Sequence, residues 1–121
     1  MIGVGCDIIE IGLVEKACAN EHFVDRVFTA AEIEYCRSRG KQAFASFAAR
    51  FAAKEALLKA FGTGLRGGKL LEIEVVLDAF GKPSINLSGY YADFAANLGV
   101  NKILLSLSHS QENAIAFVCI E

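Results

Sequence analysis

Two carboxylates and a group of cations are the residues of this chain most able to do chemistry. Asp7 sits in a short apolar run, Ile2–Ile9, where an unpaired carboxylate would be costly. Glu55 sits in the segment Arg50 to Lys59, RFAAKEALLK, which is apolar on almost every side of a helical wheel. Charges on such a helix must reach outward, pair, or meet a metal or ligand. Glu55 and Lys59 are four residues apart and share a face, so an ordinary ion pair between them is one reading. The other joins Asp7 and Glu55 around Mg²⁺, an ion that takes one or two protein carboxylates and completes its octahedron with water and substrate phosphates. Distance along the chain does not show that the two carboxylates meet.

The neighbourhood of Glu55 suits an anion. Eight of the twelve Lys and Arg residues lie between Arg37 and Lys69, namely Arg37, Arg39, Lys41, Arg50, Lys54, Lys59, Arg66 and Lys69, and Glu55 is the only acid among them. They could line a pocket for a small polyanion or form a solvated basic face. Gly62-Thr63-Gly64 follows the segment directly. A glycine loop can offer backbone N–H groups to phosphate, and it is equally an ordinary helix stop. His109 and Ser110 follow an apolar run near the end of the chain. A histidine there is either a satisfied structural residue or, beside a basic pocket, a donor to phosphate, with the Ser110 hydroxyl as a second donor.

Composition narrows the classes. A length of 121 residues suits one domain, and a net charge of −2 argues against general nucleic-acid binding. Cys6, Cys18, Cys36 and Cys119 show no C-x-x-C pairing and no zinc spacing, so reduced thiols acting as small core residues are expected. The first twelve residues carry Asp7 and Glu10 in place of a basic start, which excludes a signal peptide. Four charges within Ala43–Phe61 argue against a membrane span. A soluble, cytoplasmic protein is expected.

The periodicities predict the elements that must position these groups. Ile2–Ile9 reads as a strand that delivers Asp7, and Ile11, Val14 and Cys18 recur as in a helix running to about Asn20. Thr29-Ala-Ala-Glu32 has the form of a capping box, predicting a helix from there to about Gly40. A long helix follows over Ala43–Phe61, closed by Gly62. Leu71–Val75 and Ser84–Leu87 read as a hairpin turning at Phe80-Gly81-Lys82-Pro83. Ser88 should cap a helix over Tyr90–Leu98 that Gly99 ends, before a last strand pair, Lys102–Ser108 and Ala114–Ile120. The order implies an α+β fold, one small domain with a mostly antiparallel sheet packed on the long central helix.

Three stretches together resemble the holo-[acyl-carrier-protein] synthases, the small bacterial 4′-phosphopantetheinyl transferases. They are Gly3-Val-Gly-Cys-Asp-Ile8, Arg50-Phe-Ala-Ala-Lys-Glu-Ala56 with Lys59 and Gly62-Thr-Gly64, and Ser106-Leu-Ser-His-Ser110. The resemblance covers essentially the whole chain. It implies transfer of 4′-phosphopantetheine from coenzyme A to a serine of an apo acyl carrier protein, releasing adenosine 3′,5′-bisphosphate, in fatty acid biosynthesis. Asp7 and Glu55 would bind Mg²⁺, and Lys59 would contact the coenzyme A pyrophosphate. Arg50 and His109 would lie near the nucleotide and its 3′-phosphate, with Lys41 and Ser110 beside them. Gly62 and Gly64 would let backbone approach the ligand, and the hairpin containing Pro83 would approach the adenine. Glu55 would take the serine's proton, directly or through a water. The family resemblance further implies a homotrimer with active sites shared between subunits.

One position departs from the family pattern. An arginine that grips the acidic carrier usually stands six residues after the aspartate, and here that position is Leu13. Arg26 matches another basic position of the family. Two other readings compete: a non-catalytic relative that binds without transferring, and a hot-dog thioesterase, which also wraps a sheet around a long apolar helix but needs no Mg²⁺.

Overall fold

The computed structural model describes residues 2–121. Strand β1 (Gly3–Glu10) leads into helices α1 (Ile11–Cys18), α2 (Glu21–Val27), α3 (Ala30–Arg37) and the long α4 (Ala43–Phe61). The hairpin β2 (Ile73–Leu77) and β3 (Pro83–Leu87) follows, then α5 (Gly89–Leu98), β4 (Ile103–His109) and β5 (Asn113–Ile120). The fold is α+β, and every strand pair is antiparallel. The strands divide into a three-stranded sheet of order β1-β5-β4 and the separate β2-β3 hairpin.

The contact between β1 and α4 fixes the frame. Successive side chains of a strand point to opposite faces, and Gly3, Gly5, Asp7 and Ile9 take the less exposed one. A methyl group at Gly5 would collide with the Ala56 carbonyl and the Ala60 amide, and one at Gly3 with the Ala60 carbonyl. The strand backbone therefore rests on the helix backbone, across a helix surface of Ala52, Ala53 and Ala56 that is fully buried. Glycine within a strand costs entropy, and close backbone approach is the usual reason to keep it. Around the second half of α4 the core gathers Leu57, Leu58, Ile73, Tyr91, Val118 and Ile120. Around the first half it gathers Val24, Val27, Phe28 and Phe47.

Several expectations hold and several shift. The long helix begins and ends where predicted, with Gly62 at φ +80° as its left-handed stop. The capping box is present: Thr29 Oγ1 accepts from the Glu32 amide at 3.2 Å and Glu32 Oε1 from the Thr29 amide at 2.9 Å. That helix stops at Arg37, short of Gly40, and a 3-10 turn over Gly40–Gln42 leads into α4. The first helix ends at Cys18, because Asn20 starts a new one by accepting the His22 amide at 2.9 Å. That second helix was not expected.

The hairpin strand begins at Ile73 rather than Leu71, since Leu70–Glu72 form a 3-10 turn. Ser88 does not cap α5 through its side chain; the Glu72 carboxylate accepts the Tyr90 amide at 3.3 Å instead. The thiols are free, but only Cys36 is a buried core residue, and Cys6 is exposed. No helix is long and apolar enough to cross a membrane among the described residues.

Because the Gly5 collision is with backbone at both atoms, no side-chain rotation relieves it. Gly5→Ala is expected to destabilise the protein by about 3 kcal/mol or more, measured by urea unfolding. A loss below about 0.5 kcal/mol, the range of a neutral surface change, would contradict the close strand–helix contact.

Candidate active site

Asp7 reaches α4 because it continues the inward row set by Gly3 and Gly5. Its Oδ1 accepts from Lys59 Nζ at 2.9 Å, and the same ammonium donates to the Cys6 carbonyl at 3.0 Å. Lys59 thus pairs across the strand–helix contact rather than with Glu55 one turn before it. Among the described residues Glu55 has no ion-pair partner. Burial pushes the Glu55 carboxyl above its ordinary value, the charge of Asp7 adds to this, and Lys59 opposes both. The hydrogen bond to Asp7, with its charge, holds the Lys59 ammonium above the usual lysine value.

This donor set fits a hard divalent cation. The Asp7 carboxylate lies close enough to raise the cost of ionising Glu55, and Lys59 engages only Asp7. No cluster of three or more His, Cys, Asp or Glu occurs among the described residues. Asp7 and Glu55 could therefore supply two ligands and leave the other positions to water and phosphate, as Mg²⁺ prefers.

Glu55 also borders a cavity of about 690 Å³, lined by Phe23, Val27, Phe51, Leu65 and Leu70 among others, with Arg26 and Lys69 as its cations. A second cavity of about 420 Å³ contains Lys41, Gln42, Phe44, His109 and Ser110. There His109 Nε2 lies 3.2 Å from Gln42 Oε1. Ser110 Oγ accepts from the Asn113 amide at 3.2 Å, which leaves its hydroxyl proton free to donate. The two cavities share no lining residue. The structure brings Asp7, Glu55 and Lys59 together in one cluster, and Lys41, His109 and Ser110 in another.

Arg50, Gly62, Gly64 and Pro83 line neither cavity. Arg50 is buried, with its guanidinium 4.4 Å from the Tyr35 ring centroid, Nη1 donating to the Ser46 carbonyl and Nε without a partner. Gly62 and Gly64 have positive φ and open space where a Cβ would stand. Pro83 opens β3 opposite Leu77. The eight clustered cations do not form one patch: Arg37 pairs with Glu21, Lys54 with Glu32 and Lys59 with Asp7.

Sequence reasoning missed Gln42, for which no local pattern exists. It also missed the apolar cavity beside Glu55, whose Phe23 and Val27 belong to the unexpected helix α2.

A family model described as the 4′-phosphopantetheinyl transferase superfamily matches residues 3–119. The chain belongs to the 4′-phosphopantetheinyl transferase superfamily. Within it, the chain is 46% identical over 120 residues to the holo-[acyl-carrier-protein] synthase of Ruminiclostridium cellulolyticum, covering 97% of this chain and 90% of that protein. The crystal structure of the Neisseria meningitidis holo-[acyl-carrier-protein] synthase superposes with a TM-score of 0.91 at 33% identity, over 100% of this chain and 99% of that one. The Bacillus anthracis synthase, solved in complex with CoA (3′,5′-ADP), gives 0.81 at 36% identity, over 98% and 95%. Membership of the transferase superfamily removes the hot-dog thioesterase reading.

Glu55's raised pKa has a consequence for stability. As pH climbs from the ordinary value of 4.5 through the higher folded value, the unfolded chain releases this proton first, so the folded state loses stability. Glu55→Gln abolishes that loss. In metal-free buffer the variant should melt above wild type at about pH 8 and show a smaller advantage at about pH 4. Equal differences at both pH values would contradict the strained carboxylate.

Proposed function

We propose that this chain transfers 4′-phosphopantetheine from coenzyme A to a serine hydroxyl of an apo acyl carrier protein, in a Mg²⁺-dependent reaction serving fatty acid biosynthesis in the cytoplasm. The whole chain, residues 1–121, would act as one catalytic domain. The observation that carries this reading is the joining of Asp7, Glu55 and Lys59 at the β1–α4 contact. The full-length similarity to holo-[acyl-carrier-protein] synthases supports it.

The chemistry follows from charge and position. Asp7 and Glu55 would hold Mg²⁺, which when bound neutralises charge on the pyrophosphate of coenzyme A. Phosphoryl transfer depends mainly on in-line positioning and charge stabilisation. Lys59, 57% exposed, would turn its one uncommitted N–H to the pyrophosphate. The serine oxygen forms a bond to the phosphorus of the phosphopantetheine, and the bond to adenosine 3′,5′-bisphosphate breaks. Glu55 would take the serine's proton, directly or through a water. Lys41, His109 and Ser110 offer an ammonium, an imidazole and a hydroxyl to the nucleotide's 3′-phosphate. Arg50 would need to leave the Tyr35 ring to take part.

The separation of the two clusters is best answered by a second copy of the chain. On the outward side of the three-stranded sheet, Val4, Ile8, Leu104, Ile115 and Phe117 are all exposed. Ile8 pairs with Ile115, and Phe117 is flanked by Cys6 and Ser106. Such a contiguous apolar face on one sheet marks an interaction surface. A homotrimer closed over it would let the nucleotide cluster of one subunit serve the metal cluster of the next. Leu13, 55% exposed on α1, would replace a basic contact to the carrier with an apolar one.

Intact-mass spectrometry of an apo acyl carrier protein, incubated with the chain, coenzyme A and Mg²⁺, tests the activity. The carrier should gain one phosphopantetheine, and EDTA should prevent it. Asp7→Asn and Glu55→Gln should each lower kcat/KM by about a hundredfold or more while remaining folded. Full activity in either variant overturns the assignment of the carboxylates. The assembly has its own test in Phe117→Glu, which should elute from size exclusion as a monomer and transfer poorly. A monomeric wild type would refute the shared site.

A further inference from the structure

Lys54 precedes Glu55 in α4 and is fully buried. Its ammonium directs all three N–H donors to fixed acceptors: the Val27 carbonyl at 2.6 Å, Glu32 Oε1 at 2.8 Å and the Leu70 carbonyl at 3.1 Å. Burial pulls Lys54 toward its neutral form, and the adjacent Glu32 carboxylate opposes that. Glu32 is committed as well, since its Oε1 accepts the Thr29 amide and its Oε2 the Val75 amide at 2.9 Å. Stability alone is a poor explanation for this arrangement. Well-packed apolar residues commonly replace a buried ion pair without loss.

The two carbonyls explain more. Val27 ends α2 and Leu70 begins the turn before β2, and both line the 690 Å³ cavity that Glu55 borders. Phe23 and Arg26 stand on the Val27 side of the cavity, and Gly68 and Lys69 on the Leu70 side. We propose that Lys54 is a positioning residue that draws the Val27 and Leu70 walls to one point and so sets the spacing of the cavity beside Glu55. This rests on the transferase reading, in which that cavity receives part of one of the two substrates. A methionine at position 54 could fill the same volume. It could not draw two carbonyls from different segments toward a shared donor.

The test separates positioning from stability. Lys54→Met alone strands the Glu32 carboxylate in the core and is expected to unfold readily. Lys54→Met with Glu32→Gln removes both charges, and its melting should lie closer to wild type than that of either single variant, each of which strands one buried charge. In that folded double variant the KM of either the carrier or coenzyme A should rise about tenfold while kcat changes less than threefold, because Asp7, Glu55 and Lys59 keep their places. Lys54→Arg retains the charge with different donor geometry and should not restore KM. Hydrogen exchange should quicken about tenfold at the amides of residues 22–28 and 65–71 and stay unchanged in β1 and β5.

Wild-type KM in the folded double variant, or exchange that quickens equally in the sheet, overturns the inference. So does a double variant that stays unfolded, which would make Lys54 a residue of general stability. Should wild type transfer nothing, the functional reading fails by itself. The exchange pattern then decides whether Lys54 holds the cavity walls.

Discussion

The rest of this molecule depends on the backbone of one strand lying directly against the backbone of one helix. Gly3 and Gly5 remove the side chains that would hold β1 away, and the alanines of α4 present a surface without projections. The inward row of the strand then runs from the two glycines to the Asp7 carboxylate, with Ile9 beyond it. A wider spacing would leave Asp7 short of Lys59 and would release Glu55 from its unfavourable neighbour. Close packing here is a condition of the electrostatics as well as of the core.

The helix carries two kinds of charge that answer to different demands. Lys54 and Arg50 turn toward α3 and are buried, one by a set of hydrogen bonds and one by an aromatic ring. Glu55 and Lys59 turn toward β1 and stay within reach of solvent. A 3.6-residue repeat places neighbours in sequence about 100° apart, which is why Lys54 and Glu55 can serve the fold and the site from adjacent positions. Apolar residues surround both faces, so the helix has no single oily stripe.

What could be read from the sequence follows the range of the interaction involved. The extent of α4, its glycine stop and the Thr29–Glu32 capping box are all local, and all appear as read. The start of β2 moved because Leu70–Glu72 close a 3-10 turn, whose Glu72 side chain also accepts the Tyr90 amide, eighteen residues away. Helix α2 was missed although Asn20 is a good cap and Phe23, Val24 and Val27 have helical spacing; seven residues make a weak periodic signal. The grouping of Asp7 with Glu55 was legible as a possibility. The partner of Lys59 was not, because a helical neighbour four residues away and a strand fifty-two residues away compete for the same ammonium. No local rule separates the buried Lys54 from the exposed Lys59.

The pairing of β1 with β5 carries a further meaning for how the protein is made. Gly3 lies opposite Ile120, so the strand bearing Asp7 gains its hydrogen-bonded neighbour only after nearly all the intervening chain has been synthesised. Long-range pairing of this kind forms late and slowly compared with helices. During translation α1 to α4 can take shape while β1 still exposes an unpaired edge and its outward apolar residues. A nascent chain on the ribosome would thus hold the helix that bears Glu55 and lack the ordered strand that bears Asp7. Chemical competence would arrive in one step, with the last strand, and partly made chains would carry a sticky edge in place of a working site.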